Sequence, residues 1–331
     1  MNVTTDFRVR FVAFSSVLVL LPAIPLNLYI GFVNSRPNLI VGKYKWFLGN
    51  LSLCDLLFSL TYFLLQPIAS LGPKGAFSSL ICEFIIYVAA YTGLAMIYSI
   101  AIVAYNRFIS ICHSVEKHNQ IFTNRNCFLL CTATHLLAAT IICGFAFDRS
   151  YTHFSHSHYC SVLMKRSFRS AINNLLGAIV SLCVQSVTIY CTARLYKTLK
   201  LHSNQVLSLL DHERFHENRS LMIALITQTL IACICCTPIL LLCATTIFTG
   251  RIYWWLETAA FLLLFCNPTL DALTTIWAVK PYRHVTVNLI QALRDGRWLL
   301  SAEEDAYKMK KAQNSRTTNC KRRQLSRETK C

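Results

Sequence analysis

Charge is what this chain has least of. Only 14% of its 331 residues are Asp, Glu, Lys or Arg, where a soluble domain carries about a quarter. Acids are the scarcer sign, 15 against 32 Lys and Arg. Glycine (10) and proline (8) are also few. No Gly-rich phosphate loop, zinc spacing or nucleophile–base grouping occurs, so neither an enzyme nor a cofactor nor a metal is expected. No internal repeat of the kind that builds many transporters is visible. With 54% hydrophobic residues, a surface facing water on all sides cannot be made.

Long apolar runs are what is present. Seven are long enough to cross a bilayer, which takes about 20 residues: Phe11–Val33, Phe47–Leu71, Cys82–Tyr105, Cys127–Phe147, Ala171–Ala193, Leu221–Phe248 and Tyr253–Val279. The first is too long, and lacks the small-residue cleavage site, to read as a removed signal. The expected fold is an all-α integral membrane protein, a bundle of seven transmembrane helices over 1–297, followed by a basic disordered tail over 298–331.

Orientation follows from the cations. With residue 1 outside, the inner loops and tail hold 24 Lys and Arg, and the outer segments hold 8, half of them between spans four and five. The excess marks the cytosolic side. The net charge of +17 is thereby an orientation signal, and no nucleic-acid partner is expected. Most of the 16 cysteines lie in apolar helix and act as small hydrophobes. Only Cys82 and Cys160 fall on the outer side, where oxidation is permitted; they are expected to pair, the alternative being two free thiols. Asn2-Val3-Thr4 is a glycosylation acceptor on that side.

Polar groups inside a membrane are costly, so each is a functional hypothesis. Asp55 stands in Asn50-Leu-Ser-Leu-Cys-Asp55 of span two, and Asn27 in span one. Asn267-Pro268-Thr-Leu-Asp271 lies toward the cytosolic end of span seven, where Pro268 frees a backbone carbonyl. Asn27, Asp55, Asn267, Pro268 and Asp271 are expected to cluster as a polar switch, the alternative being a static knot. Arg107, in Asn106-Arg107-Phe108, ends span three; a snorkelling cation is its blander explanation. From Cys82 to Arg107 a helix rises roughly 37 Å, rim to rim.

Together these features resemble rhodopsin-like seven-helix G-protein-coupled receptors. The resemblance rests on Asn27, Asn50-Leu-Ser-Leu-Cys-Asp55, Cys82 with Cys160, Asn106-Arg107-Phe108, Pro238 in span six and Asn267-Pro268, in that order. There are departures. Asn106 replaces the acid before the arginine, Cys236 the aromatic residue before Pro238, and Asp271 the tyrosine closing the span-seven motif. Span five lacks proline, and span four lacks tryptophan, with His135 nearby. The run Asn267-Pro-Thr-Leu-Asp-Ala-Leu-Thr-Thr-Ile-Trp-Ala-Val-Lys-Pro-Tyr-Arg283 and Gly42-Lys-Tyr-Lys-Trp46 look like nematode serpentine chemoreceptors of the Str, Srd and Sri type.

The resemblance implies a plasma-membrane receptor whose ligand enters from outside and whose inner face activates a heterotrimeric G protein. Ala89 stands where amine receptors carry aspartate, and Phe261 where opsins carry lysine. Ile86, Ala89, Ala90 and Gly93 of span three, with Glu257 and Phe261 of span seven, then line a pocket for a small, mostly apolar molecule. Glu257 is otherwise an interfacial carboxylate beside Trp254-Trp255. His153, His156 and His158 lack a fixed fourth metal ligand and read as solvated loop. Asn106, Arg107 and Tyr190 are expected at the coupling face. Asn106 holds Arg107 less firmly than an acid would, which implies ligand-free activity. Past span seven, Val285, Leu289, Ile290 and Leu293 repeat at helical spacing among cations, an amphipathic helix resting on membrane lipids. Ser315, Thr317, Thr318 and Ser326 offer phosphorylation sites to an arrestin-like partner. The rival from another class is a seven-helix ligand-gated channel or transporter.

Overall fold

The computed structural model of the chain describes residues 14–15, 17–36, 39–40, 43–71, 76–147, 151–152, 163–164, 168–203, 209–249 and 254–295. The Asn2 acceptor, the three loop histidines, Cys160 and the tail beyond residue 295, with its four hydroxyl residues, lie outside these. The described chain forms α1 (Ala23–Ser35), α2 (Tyr44–Leu71), α3 (Ala76–Cys112), α4 (Val115–Ile121), α5 (Asn124–Phe147), α6 (Phe168–Ser203), α7 (Leu209–Thr249), α8 (Trp254–Ala278) and α9 (Lys280–Arg294). Two-residue strands β1 (Tyr151–Thr152) and β2 (Leu163–Met164) pair antiparallel between α5 and α6, a small addition to the all-α expectation. Seven helices are long and apolar enough to cross a membrane. Span one is Val17–Ser35, which takes in α1; spans two and three are α2 and α3, span four is α5, and spans five to seven are α6 to α8. The chain is a multi-pass membrane protein.

Helices are the form available in lipid because each satisfies its own backbone. Prolines mark where that fails. Residues 17–20 are helical, but the chain turns at Leu21 and Pro22 before α1 begins. Neither Pro22 nor Pro25 can donate a backbone hydrogen bond, so the helix loosens to a turn there. Leu21 N still donates to Val17 O and Leu26 N to Pro22 O, and Val17–Ser35 serves as one span. α2, α3, α5, α6 and α7 exceed their apolar runs, while α8 matches its run to within one residue at each end. α3 has 37 residues, α6 has 36 and α7 has 41, because Arg194–Ser203 and the stretch from Leu209 are polar but contain neither glycine nor proline. Hydropathy locates the membrane, and backbone chemistry locates the helix end.

Most hydroxyls in the spans are quenched locally. Ser59, Thr61, Thr132, Thr140, Ser186, Thr188, Thr229 and Thr237 each donate to the carbonyl four residues earlier, the usual resource of such groups in a helix. They need nothing from neighbouring helices, so polar groups bonded between helices stand out. Apolar packing fills the rest. One cluster, around Phe47, Phe122, Ile276 and Tyr282, joins spans one, two, three and seven at the Arg107 end. A second, around Phe58, Tyr62, Phe261 and Phe265, lies toward Cys82. Leu136, Leu175, Leu230 and Trp277 are exposed on the outside, the surface that lipid covers.

Candidate functional site

Asn27, Asp55, Asn267 and Asp271 come from spans one, two and seven, and each is about 1% exposed. The Asn27 amide donates to Ala23 O (3.0 Å) and across to Pro268 O (3.2 Å). Ser52 Oγ donates to Asn27 O at 2.8 Å, and Thr269 Oγ1 to Val19 O at 3.0 Å. Spans one and seven are thus fastened through the proline-disturbed backbone. The facing seam of spans two and seven is tied less completely. Asn267 Nδ2 donates to Asp271 Oδ2 (3.1 Å) and to the Met96 sulfur of span three (3.2 Å). Asp55 and Asp271 lie within electrostatic reach of one another, so a charge on one disfavours a charge on the other. Among the described residues, Oδ1 of Asp55, Asn267 and Asp271 meets no hydrogen-bond partner. A seam with acceptors in excess of donors can change partners more cheaply than a saturated one.

A second polar chain crosses spans two, three and four. Tyr91 Oη donates to His135 Nδ1 at 2.7 Å, and His135 Nε2 donates to Asn50 Oδ1 at 2.8 Å. Asn50 Nδ2 then donates to Ser99 Oγ at 2.7 Å. This order fixes one neutral tautomer of the imidazole. His135 stands out in the sequence only as a residue near an absent tryptophan. Gln228 Nε2 donates to Thr275 Oγ1 at 2.9 Å, joining spans six and seven.

At the end of span three Arg107 is 7% exposed, and its guanidinium lies 4.1 Å over the ring of Tyr44, a cation–π contact of about 1–2 kcal/mol when desolvated. Asn106, also buried, donates from Nδ2 to His118 Nε2 at 3.2 Å. His118 belongs to α4, whose Ser114 cap accepts from Lys117 N. α4 is anchored by Phe122, which meets Phe47 of span two and Tyr105 of span three, each at 5.9 Å. Burial pulls the His118 imidazole below its ordinary value, with Arg107 and Lys43 acting the same way and the Asn119 hydrogen bond opposing them. Tyr190, expected with Arg107 at the coupling face, lies on span five beside the neighbour of that arginine. It is 57% exposed and has Phe108 as a ring neighbour at 6.4 Å, because its helical register turns it toward the lipid side. Neither Tyr44 nor His118 is signalled by local sequence, since each meets its partner only through the fold. α9 is fastened to span one: Tyr282 donates to Asn34 Oδ1, and Tyr29 Oη shares a hydrogen bond with Thr286 Oγ1 at 2.9 Å. Burial raises the Tyr282 phenol above its usual range.

Toward Cys82 the expected pocket residues divide. Ala89 packs with Phe261, Phe58, Tyr62 and Phe265, and Tyr62 lies edge-on to Phe265 at 4.8 Å. Ile86 and Ala90 are not with them but join Ile142 of span four. At 3.6 residues per turn these positions share one face of span three, and that face is wide enough for Ala89 to meet the aromatic cluster while Ile86 and Ala90 meet span four. A Cβ at Gly93 would meet nothing within 4 Å. Glu257 is half-buried. Cys82 is disulfide-bonded, while Cys160 lies outside the described residues.

With this geometry in hand, the comparisons are informative. The family described as 7 transmembrane receptor (rhodopsin family) matches residues 27–272, well over half of the chain. The human protein Olfactory receptor 8A1 is 30% identical over 122 residues, 36% of this chain and 37% of that receptor. The chain therefore matches little more than a third of that relative's length, and the narrower likeness to nematode chemoreceptors rests on sequence motifs alone. The chain belongs to the rhodopsin family of seven-transmembrane receptors.

Proposed function

We propose that this receptor is chemosensory. It sits in the plasma membrane with residue 1 outside, takes a small, mostly apolar ligand from that side, and activates a heterotrimeric G protein at the Arg107 end. The observation that carries this is the polar seam where Asp55, Asn267 and Asp271 of spans two and seven are buried together, each with an Oδ1 that meets no hydrogen-bond partner among the described residues. A ligand biases a receptor only through a difference in affinity between two arrangements, and a seam with spare acceptors gives the bundle two arrangements to choose between. The aromatic group around Ala89 and Phe261 supplies apolar walls at one end. Arg107, lying over the Tyr44 ring, supplies a cation at the other. The olfactory relative supports chemosensation, and the apolar walls favour a ligand without a strong charge.

In the active arrangement the inner ends of spans five and six swing outward about Pro238, the weak point of α7. Arg107 and Asn106 then meet the G protein. Tyr190 joins them only if span five rotates. An arrestin-like protein engages the tail when its hydroxyls are phosphorylated. The test is a calcium or cyclic-nucleotide readout against a panel of small volatile and water-soluble compounds. Wild type is expected to respond to an apolar member, and Arg107→Ala to reach the surface normally but lose the response. Ligand-evoked current in cells lacking G proteins would overturn the proposal.

A further inference from the structure

Position 106, next to Arg107 at the end of span three, carries a neutral amide, and that amide is bonded to the imidazole of His118. We propose that His118 serves as the positioning residue for the Arg107 end, and that acidification of the cytosol releases it. This rests on the receptor reading above, which places α4 in the cytosol.

The geometry is specific. Asn106 Nδ2 donates to His118 Nε2 at 3.2 Å, which requires an unprotonated Nε2 as acceptor. The imidazole is half-buried and leans on Phe122 with ring centroids 5.2 Å apart. The ring is therefore fixed between an anchored aromatic residue and the last buried turn of span three. From span three it faces Asn106 and Arg107. From the start of span two it faces Lys43, whose Nζ donates to Asn124 of span four at 2.6 Å. On its own helix Asn119 bonds it, while Glu116 and Lys117 are exposed. Of the charges acting on it, Arg107 and Lys43 oppose its protonation.

Protonation does two things at once. It removes the lone pair that Asn106 uses, and it adds a positive charge beside two others. Because the imidazole is held below its ordinary value of 6.5 in this arrangement, the latch is at full strength above that value. It weakens as pH falls below it, toward the depressed value of the latched state. His118 acts through its bond to Asn106, through the seating of α4 and through its charge when protonated. A buried residue with a purely structural role would show no such window.

Hydrogen exchange across residues 115–121 of the purified, full-length receptor reads the latch directly, at about pH 7.5 and about pH 6, on either side of histidine titration. After correction for the intrinsic pH dependence of exchange, wild type is expected to exchange roughly twofold to fourfold faster at the lower pH, the most that release from an ordinary value of 6.5 gives between these two pH values. His118→Gln offers an amide oxygen to Asn106 without titrating and should show no step. Asn106→Ala, which removes the donor, should exchange fast at both pH values. A wild type with no step, or the same step in His118→Gln, overturns the latch. In membranes with the cytosolic face held at each pH, ligand-free G-protein activation should rise with acid in wild type only. An equal rise in both proteins counts against the latch's role in coupling. No activation at either pH, with the exchange step intact, supports the latch and counts against the receptor reading.

Discussion

At the residue scale, the informative positions are those where one side chain replaces another of different charge. Asn106 is buried beside Arg107 but brings no charge to it, so the guanidinium settles over Tyr44. Restoring a carboxylate adds a charge-assisted interaction, stronger than a neutral one. Asn106→Asp is therefore expected to lower ligand-free signalling by roughly fivefold or more, about 1 kcal/mol. A transducer assay normalised to surface expression measures it, and unchanged basal activity would count against Arg107 as the moving part. Asp271 is the converse case, a charge gained where none is usual. Its Oδ2 accepts from Asn267, and a charge on it would oppose a charge on Asp55. Asp271→Asn keeps an acceptor for that amide and cannot carry that charge. The thermal midpoint of detergent-solubilised receptor should rise by about 2–4 °C, the shift that about 1 kcal/mol gives a protein of this size class. A fall would show that the carboxylate is compensated by a partner it cannot lose.

At the element scale, hydropathy made seven spans and the amphipathic α9 legible, since both depend on local composition. Helix ends were less so. The turn at Leu21–Pro22 and the long polar extension of α6 follow from proline content and its absence, which an apolar count ignores. What holds α9 was not legible at all, because Tyr29, Asn34 and Gly49 look ordinary in their own helices. Gly49 is where span two comes close to span one: a Cβ there would stand 3.2 Å from Asn34 Nδ2. Asn34 in turn accepts from Tyr282. Tyr282→Phe and Gly49→Val should therefore loosen the same helix by different routes. Each is expected to speed hydrogen exchange across 280–294 roughly threefold to tenfold, the value of one lost hydrogen bond, with the spans unaffected. Unchanged protection would mean that the lipid-facing Val287, Ile290 and Leu293, all exposed, hold α9 unaided.

For the whole molecule, the site divides by how far apart its parts lie in sequence. The buried acids and the Asn-Pro bend were readable one by one, because a polar group in an apolar run declares itself. Their partners were not, since Met96, Tyr44 and His118 become meaningful only when helices meet. The outer pocket shows the same limit: spacing put Ile86 and Ala90 beside Ala89, but packing sends them to span four. One long-range tie remains decisive for the assembled bundle. Cys82 is buried within the aromatic cluster that contains Phe261 and Phe265 and is disulfide-bonded. That bond anchors the start of span three against the group that would form the pocket floor. Removing a native disulfide costs about 2–5 kcal/mol, a large share of the stability of any folded chain. Cys82→Ser is thus expected to lower surface expression severely and to abolish ligand response before it affects the Arg107 end. If Cys160 is the partner, Cys160→Ser should match it, and the double variant should be no worse than either alone, since one bond is lost in all three. Mass spectrometry of the unreduced protein should recover the Cys82–Cys160 peptide pair. An additive double variant, or Cys82 recovered on a different cysteine, would break the link between that loop and the pocket.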